Sequence, residues 1–189
     1  MKKIIFITLL IFSHSAFAEW VLDQRSSIIN FTTTKNSSKT EVQTFNKIVG
    51  NINAKRAILK VDLSSVDTGI AIRDTRLREL FFDVMKFPAA RVSLDVRKAQ
   101  LDKLQPGQRK TLQLDAVIDL HGVQKTLPVK VQIIAFAEGQ IMVTSKEPLI
   151  IDLKDFDLLS GVEALRAIAR LTSINTAIPV TFNLFFIKK

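Results

Sequence analysis

The chain has 189 residues, a formal net charge of +9, 47% hydrophobic residues, no cysteine and no tyrosine. That is length enough for one domain with a sizeable core. The missing cysteine excludes disulfide staples and thiolate chemistry, and two histidines are too few for a transition-metal site built on imidazoles.

The first residues, "MKKIIFITLLIFSHSAFA", join two lysines to a short apolar run and an Ala16-Phe17-Ala18 cleavage pattern. They read as a signal peptide over 1–18, with a mature chain from Glu19 to Lys189 and a periplasmic destination. The apolar run is shorter than the roughly 20 residues that a membrane-spanning helix needs. Without Lys2 and Lys3 the +9 becomes +7. The remaining lysines and arginines are scattered, which reads as a solvated basic surface. Export argues against nucleic acid as a partner, whereas a basic surface suits transient contact with a membrane surface.

After residue 18, period-two alternation dominates. Strands are expected at 27–34, 38–44 and 46–53, and then in "AILKVDL" (57–63), where Leu59 and Val61 share a face. "RVSLDVR" (91–97) sets Leu94 on one face with Val92 and Val96. "TLQLDAVIDLH" (111–121) aligns Leu112 and Leu114 with Ala116, Ile118 and Leu120. "TLPVKVQIIA" (126–135) aligns Val129 and Val131, a further strand is expected over 140–152, and "AIPVTFNLFF" (177–186) aligns Phe182 and Leu184. Turn signals at Gln105–Gln108, His121-Gly122 and Glu138-Gly139 separate them. Long strands with short turns suggest an antiparallel meander, and about eight strands close into a barrel. A sandwich has the same periodicity. Two segments change period: the spacing predicts helices from about Ile72 to Phe82 and over 161–172, the latter with Val162, Leu165, Ile168, Ala169 and Thr172 on one side.

Catalytic chemistry finds little footing. His121 precedes a glycine and reads as a hairpin-turn residue; Asp119 is its nearest acidic neighbour, and together they fall short of a metal site. Asp152, Asp155 and Asp157 suit capping and turns. No nucleophile elbow, dinucleotide fingerprint or phosphate loop is present, so no enzyme and no cofactor are expected. Phenylalanine is the unusual resource: ten of the thirteen follow residue 18, clustered as Phe81/Phe82/Phe87 and Phe182/Phe185/Phe186.

The segment "SVDTGIAIRDTRLRELFFDVMKFP" resembles the signature stretch of the YceI family, a T-x-x-x-x-RD-x-x-L body followed by FFDV and a proline. Thr68, Arg73, Asp74, Leu77, Phe81, Phe82 and Pro88 fall on that motif. In order along the chain, "LDQRSSIINF", "GNI", "DLHGVQKTLPVKV", "EPLIIDLKDFDL" and "IPVTFNLFF" resemble the family's other conserved-order segments, so the likeness spans nearly all of 20–187. Ser26 and Val92 stand where many members have histidine and an aromatic, and 161–172 is helical where many have a longer loop and strand.

The resemblance implies an all-β, lipocalin-like antiparallel β-barrel of about eight strands with two short helices, occupying 19–189. It also implies a lipid ligand, amphiphilic or isoprenoid, held in the barrel. The cavity candidates are Leu59, Val61, Phe81, Phe82, Leu94, Leu112, Leu114, Val129, Val131, Phe182 and Leu184, with Phe81 or Phe82 near one mouth. Thr68, Arg73, Asp74, Leu77 and Pro88 are expected to be structural, in a helix and turn that brace one end. The alternative from a different class is an interaction protein whose barrel is filled by its own side chains.

Overall fold

The computed structural model describes residues 19–53 and 55–189; the expected signal peptide lies outside them. Twelve strand segments form one antiparallel sheet: β1 (Trp20–Leu22), β2 (Ile28–Lys35), β3 (Lys39–Phe45), β4 (Ile48–Ile52), β5 (Arg56–Asp62), β6 (Val66–Asp67), β7 (Ala89–Asp95), β8 (Arg109–Leu120), β9 (Val123–Ala137), β10 (Gln140–Ser145), β11 (Leu149–Asp152) and β12 (Ala177–Lys188). Interrupted pairs act as single staves. β1 with β2, β3 with β4, β5 with β6, and β10 with β11 join β7, β8, β9 and β12 to make eight. The sheet closes because β1 pairs with β12 on one side, Val21 opposite Ile187, and with β4 on the other, Val21 opposite Asn51. Closure distinguishes the barrel from the sandwich that periodicity left open, and it removes the exposed sheet edges.

Several strand ends have a local cause. Asp23, Asp62 and Asp152 end their strands and accept a backbone N–H two residues on, at 3.1, 3.0 and 3.2 Å, capping short 3₁₀ turns. The single strand expected over 140–152 is two, β10 and β11, with Pro148 in the gap between them. The β8–β9 hairpin turns on His121 (φ 55°) and Gly122 (φ 78°), positive at both central positions as a two-residue turn of type I′ requires.

Helix α1 (Ala71–Arg76) runs into a wider π turn, Leu77–Phe81, closed by the Phe82 N–H donating to the Leu77 carbonyl at 2.8 Å. The continuous α-helix expected over 72–82 is therefore an α turn and a π turn. Helix α2 spans Leu159–Ile168, not 161–172. The chain leaves it through Arg170 at φ 51°, and Thr172 bonds the Asn36 side chain at 2.9 Å instead of continuing the helical face. Both helices lie at one end of the barrel, where β5 ends and β7 and β12 begin. The opposite end is stoppered by the β7–β8 connection, whose Ala99 and Leu101 are buried. Lys110 Nζ ties that stopper down by donating to the Lys98 and Ala99 carbonyls at 2.9 and 3.0 Å.

Candidate functional site

Inside the barrel lies a cavity of ≈ 280 Å³. Alternation supplies its wall: Leu59 and Val61 from β5, Val92 and Leu94 from β7, Leu114, Ala116, Ile118 and Leu120 from β8, Val129, Val131 and Ile133 from β9, and Ile178, Val180, Phe182, Leu184 and Phe186 from β12. The lid is made by Leu77, Phe81 and Phe82 from the π turn and by Val162 and Leu165 from α2. The floor includes Val96, Ala99 and Leu101. Every lining side chain is hydrocarbon except Thr33. A pocket with no charged group lowers the free energy of apolar ligands and penalises an unpaired charge.

Ten of the eleven candidates read from sequence are lining residues; Leu112 is not. It is half-buried and packs on the core, because alternation assigns the face of a strand but not what that face meets. Sequence reasoning omitted Phe31 and Phe45. Their rings meet the lid in a tilted and edge-to-face series: Phe31 to Phe45 at 5.1 Å, Phe45 to Phe82 at 5.9 Å, and Phe82 to Phe81 at 4.7 Å. This aromatic chain couples the wall to the lid. Consecutive helical residues face about 100° apart, and the π turn, followed at once by the chain's exit, lets both Phe81 and Phe82 reach the cavity.

The charged part of the same segment braces the lid. Asp74 accepts from the Thr68 backbone N–H at 2.9 Å and from its hydroxyl at 2.6 Å, pinning the strand exit to the helix. Arg73 reaches across to Glu41 at 2.8 Å. Glu41 also bonds Lys35 and lies 3.6 Å from Lys39. The Lys35 hydrogen bond, with the charges of Arg73, Lys35 and Lys39, holds the Glu41 carboxyl below its ordinary range. Pro88 accepts from the Leu63 N–H at 3.0 Å, joining β7 to the end of β5. Phe87 lies against the hairpin tip, its ring 4.2 Å from that of His121. Asp119 instead takes a hydrogen bond from Gln124 at 3.4 Å. Asp152 pairs with Lys154 at 2.8 Å, and that bond lowers its pKa.

Gly161 carries a positional requirement that its place inside a helix conceals. A Cβ there would stand 2.9 Å from Phe81 Cα and 3.1 Å from the Leu80 carbonyl oxygen. α2 is thus seated directly on the π-turn backbone.

A closed antiparallel barrel of lipocalin-like build, with an apolar cavity under a two-helix lid, is the class that this geometry defines. A family model described as YceI-like domain matches residues 20–186, and the chain belongs to that family. Among solved structures, it is similar to a polyisoprenoid binding domain from Saccharophagus degradans implicated in plant cell wall breakdown. That likeness is at 33% identity and TM-score 0.88, over 90% of this chain and 98% of the other. BcnA of Burkholderia cenocepacia shares the fold at 15% identity and TM-score 0.64, over 87% and 98% of the two chains. A Campylobacter jejuni YceI protein does so at 16% identity and TM-score 0.51, over 78% and 82%. No curated protein matches the chain.

Proposed function

We propose that the protein is a non-enzymatic carrier that holds an amphiphilic, isoprenoid-like lipid in its barrel after export to the periplasm. The observation that carries this reading is the ≈ 280 Å³ cavity with its hydrocarbon lining. The 33% identical relative described as a polyisoprenoid binding domain supports the ligand class. At the ~30 Å³ share of a water-sized group, the cavity takes about nine methylenes. At ~0.8 kcal/mol for each buried CH₂, their burial is worth roughly 7 kcal/mol gross. That corresponds to a dissociation constant on the order of 10 μM before ordering costs. The basic surface left after removal of the leader suits transient approach to anionic membranes, where such a lipid would be collected.

Native mass spectrometry and organic extraction of the protein purified from the periplasm test the reading. An isoprenoid or similar apolar chain should co-purify. Leu114→Trp places an indole in the cavity without adding charge. It should leave the barrel folded, at a packing cost of about 1–3 kcal/mol, and should abolish retention of the lipid. A wild-type protein that neither retains lipid nor binds a neutral hydrophobic dye would refute the carrier reading and favour an interaction protein.

A further inference from the structure

Basic residues that are scattered along the sequence are gathered by the fold. The floor end of the barrel consists of residues 19, 53–56, 95–110, 137–140 and 187–189, the strand ends and connections around the stopper. These segments hold nine basic and four acidic residues, a net of +5, where the whole chain from Glu19 carries +7. The lid end, residues 35–41, 62–88, 119–125 and 152–172, holds ten basic and eleven acidic residues, a net of −1. The molecule is therefore polarised along the barrel axis, with its positive field at the floor.

Most of the floor cations are also free. Arg97 bonds Asp95, Lys188 Nζ lies 3.0 Å from Asp102, and Lys110 is taken up by the stopper's carbonyls. Lys55, Arg56, Lys98, Lys103, Arg109 and Lys189 are exposed and form no ion pair among the described residues. At the lid end, by contrast, Lys35, Lys39 and Arg73 converge on Glu41, and Arg166 pairs with Glu163 at 2.7 Å. Unpaired cations crowded at one end repel one another, and an anionic partner relieves that repulsion.

An apolar strip borders the same rim. On the outer face of the sheet, the rings of Phe136 on β9 and Phe185 on β12 stack at 5.8 Å. Phe136 and Ile187 are 51% and 47% exposed. Met142 stands opposite both Ile134 and Phe185, and Arg109 stands opposite Ile134, so a basic margin meets the strip directly. An anionic bilayer complements both parts at once: headgroup phosphates match the cations, and the acyl boundary beneath them takes the apolar side chains. A soluble polyanion complements only the first.

We propose that the floor end of the barrel is the docking face for an anionic lipid bilayer. This rests on the membrane approach proposed above and names the face that makes it. The barrel then stands with its stopper against the lipid and its two-helix lid turned away. Ala99 and Leu101 of the stopper line the cavity, so the stopper, not the lid, is the element between cavity and bilayer.

Flotation with vesicles of pure phosphatidylcholine, and of an equal mixture of phosphatidylcholine and phosphatidylglycerol, tests the face. Wild type should float with the mixed vesicles only, and added salt should release it. Lys98→Gln/Lys103→Gln should weaken that binding by about 25-fold, at roughly fivefold for each lysine. Lys86→Gln/Lys125→Gln removes the same charge from the lid end and should change it by less than about twofold. All four side chains are exposed, and thermal melting confirms that each variant is folded. Phe136→Ala should weaken vesicle binding as well. Equal losses in the two lysine variants would show that net charge alone acts, and would overturn the face. If Phe136→Ala has no effect, or if single-stranded DNA at equal phosphate concentration strips the protein from the vesicles, the partner is a soluble polyanion and the bilayer assignment fails. Dye binding measured without vesicles reports the cavity separately. Protein that binds dye but does not float with anionic vesicles overturns the docking face alone, whereas protein that floats through its floor but binds no dye upholds the face and removes the carrier reading.

Discussion

Gly161→Ala measures how closely the lid is seated. A methyl group on Gly161 would meet Phe81 Cα at 2.9 Å, Phe81 Cδ2 at 3.0 Å and the Leu80 carbonyl oxygen at 3.1 Å. Two of these three atoms are backbone, so no side-chain rotation relieves the contact, and α2 must move off the π turn. Overpacking of this kind costs about 1–3 kcal/mol. Alanine in place of glycine within a helix returns about 0.8–1.0 kcal/mol. The net expectation is a loss of about 1 kcal/mol, or roughly 2–4 °C in Tm for a domain of this size. Differential scanning calorimetry on wild type, Gly161→Ala and Ser160→Ala decides the matter. Ser160 is exposed on the same helix, so its replacement tests helix propensity alone and should leave Tm unchanged or raise it slightly. On the carrier reading, Gly161→Ala should also speed release of the dye, because Val162 and Leu165 hold the lid over the cavity. A higher Tm for Gly161→Ala, with release unchanged, would show that the lid tolerates displacement and that the close approach is unimportant.

The remaining predictions concern the turn, the charge cluster and the leader. Gly122→Ala places a Cβ 2.9 Å from the Phe87 ring at a residue with φ 78°, and should cost at least ~1–2 kcal/mol by thermal denaturation. His121→Ala should cost less and leave lipid retention intact, since His121 contacts Phe87 at the hairpin tip and does not line the cavity; loss of retention in a folded variant would reverse that assignment. Glu41 has a folded pKa below its ordinary 4.5, so the stability it contributes is present above that value and is lost as pH falls through the lower folded one. Glu41→Gln should therefore flatten the fall of Tm between neutral pH and about pH 3, and an unchanged slope would place the acid sensitivity elsewhere. N-terminal sequencing of periplasmic material should begin at Glu19, and a retained Met1 would refute cleavage after Ala18.

Much of the barrel is written in local pattern. Alternation in 57–63, 91–97, 111–121, 126–135 and 177–186 predicts strands and their apolar faces, because a strand's two faces follow from neighbours two residues apart. His121-Gly122 announces a hairpin because backbone conformation at a turn is a property of the turn residues themselves. Local pattern alone was indifferent between barrel and sandwich, and resemblance supplied the preference. Closure is made by β1 against β12, Trp20 opposite Lys188, a relation between the two ends of the domain that no window of sequence contains. The same limit applies to the site. Leu112 and Leu114 are indistinguishable by period, yet only Leu114 borders the void. Arg73 finds Glu41, Gln43 finds Thr33 and Gly161 fits Phe81 because strand register and lid seating bring them together. Composition and alternation thus determined an apolar-faced β domain with few catalytic resources. Long-range pairing alone decided where the cavity lies and what closes it, since those are distances between residues far apart in the chain.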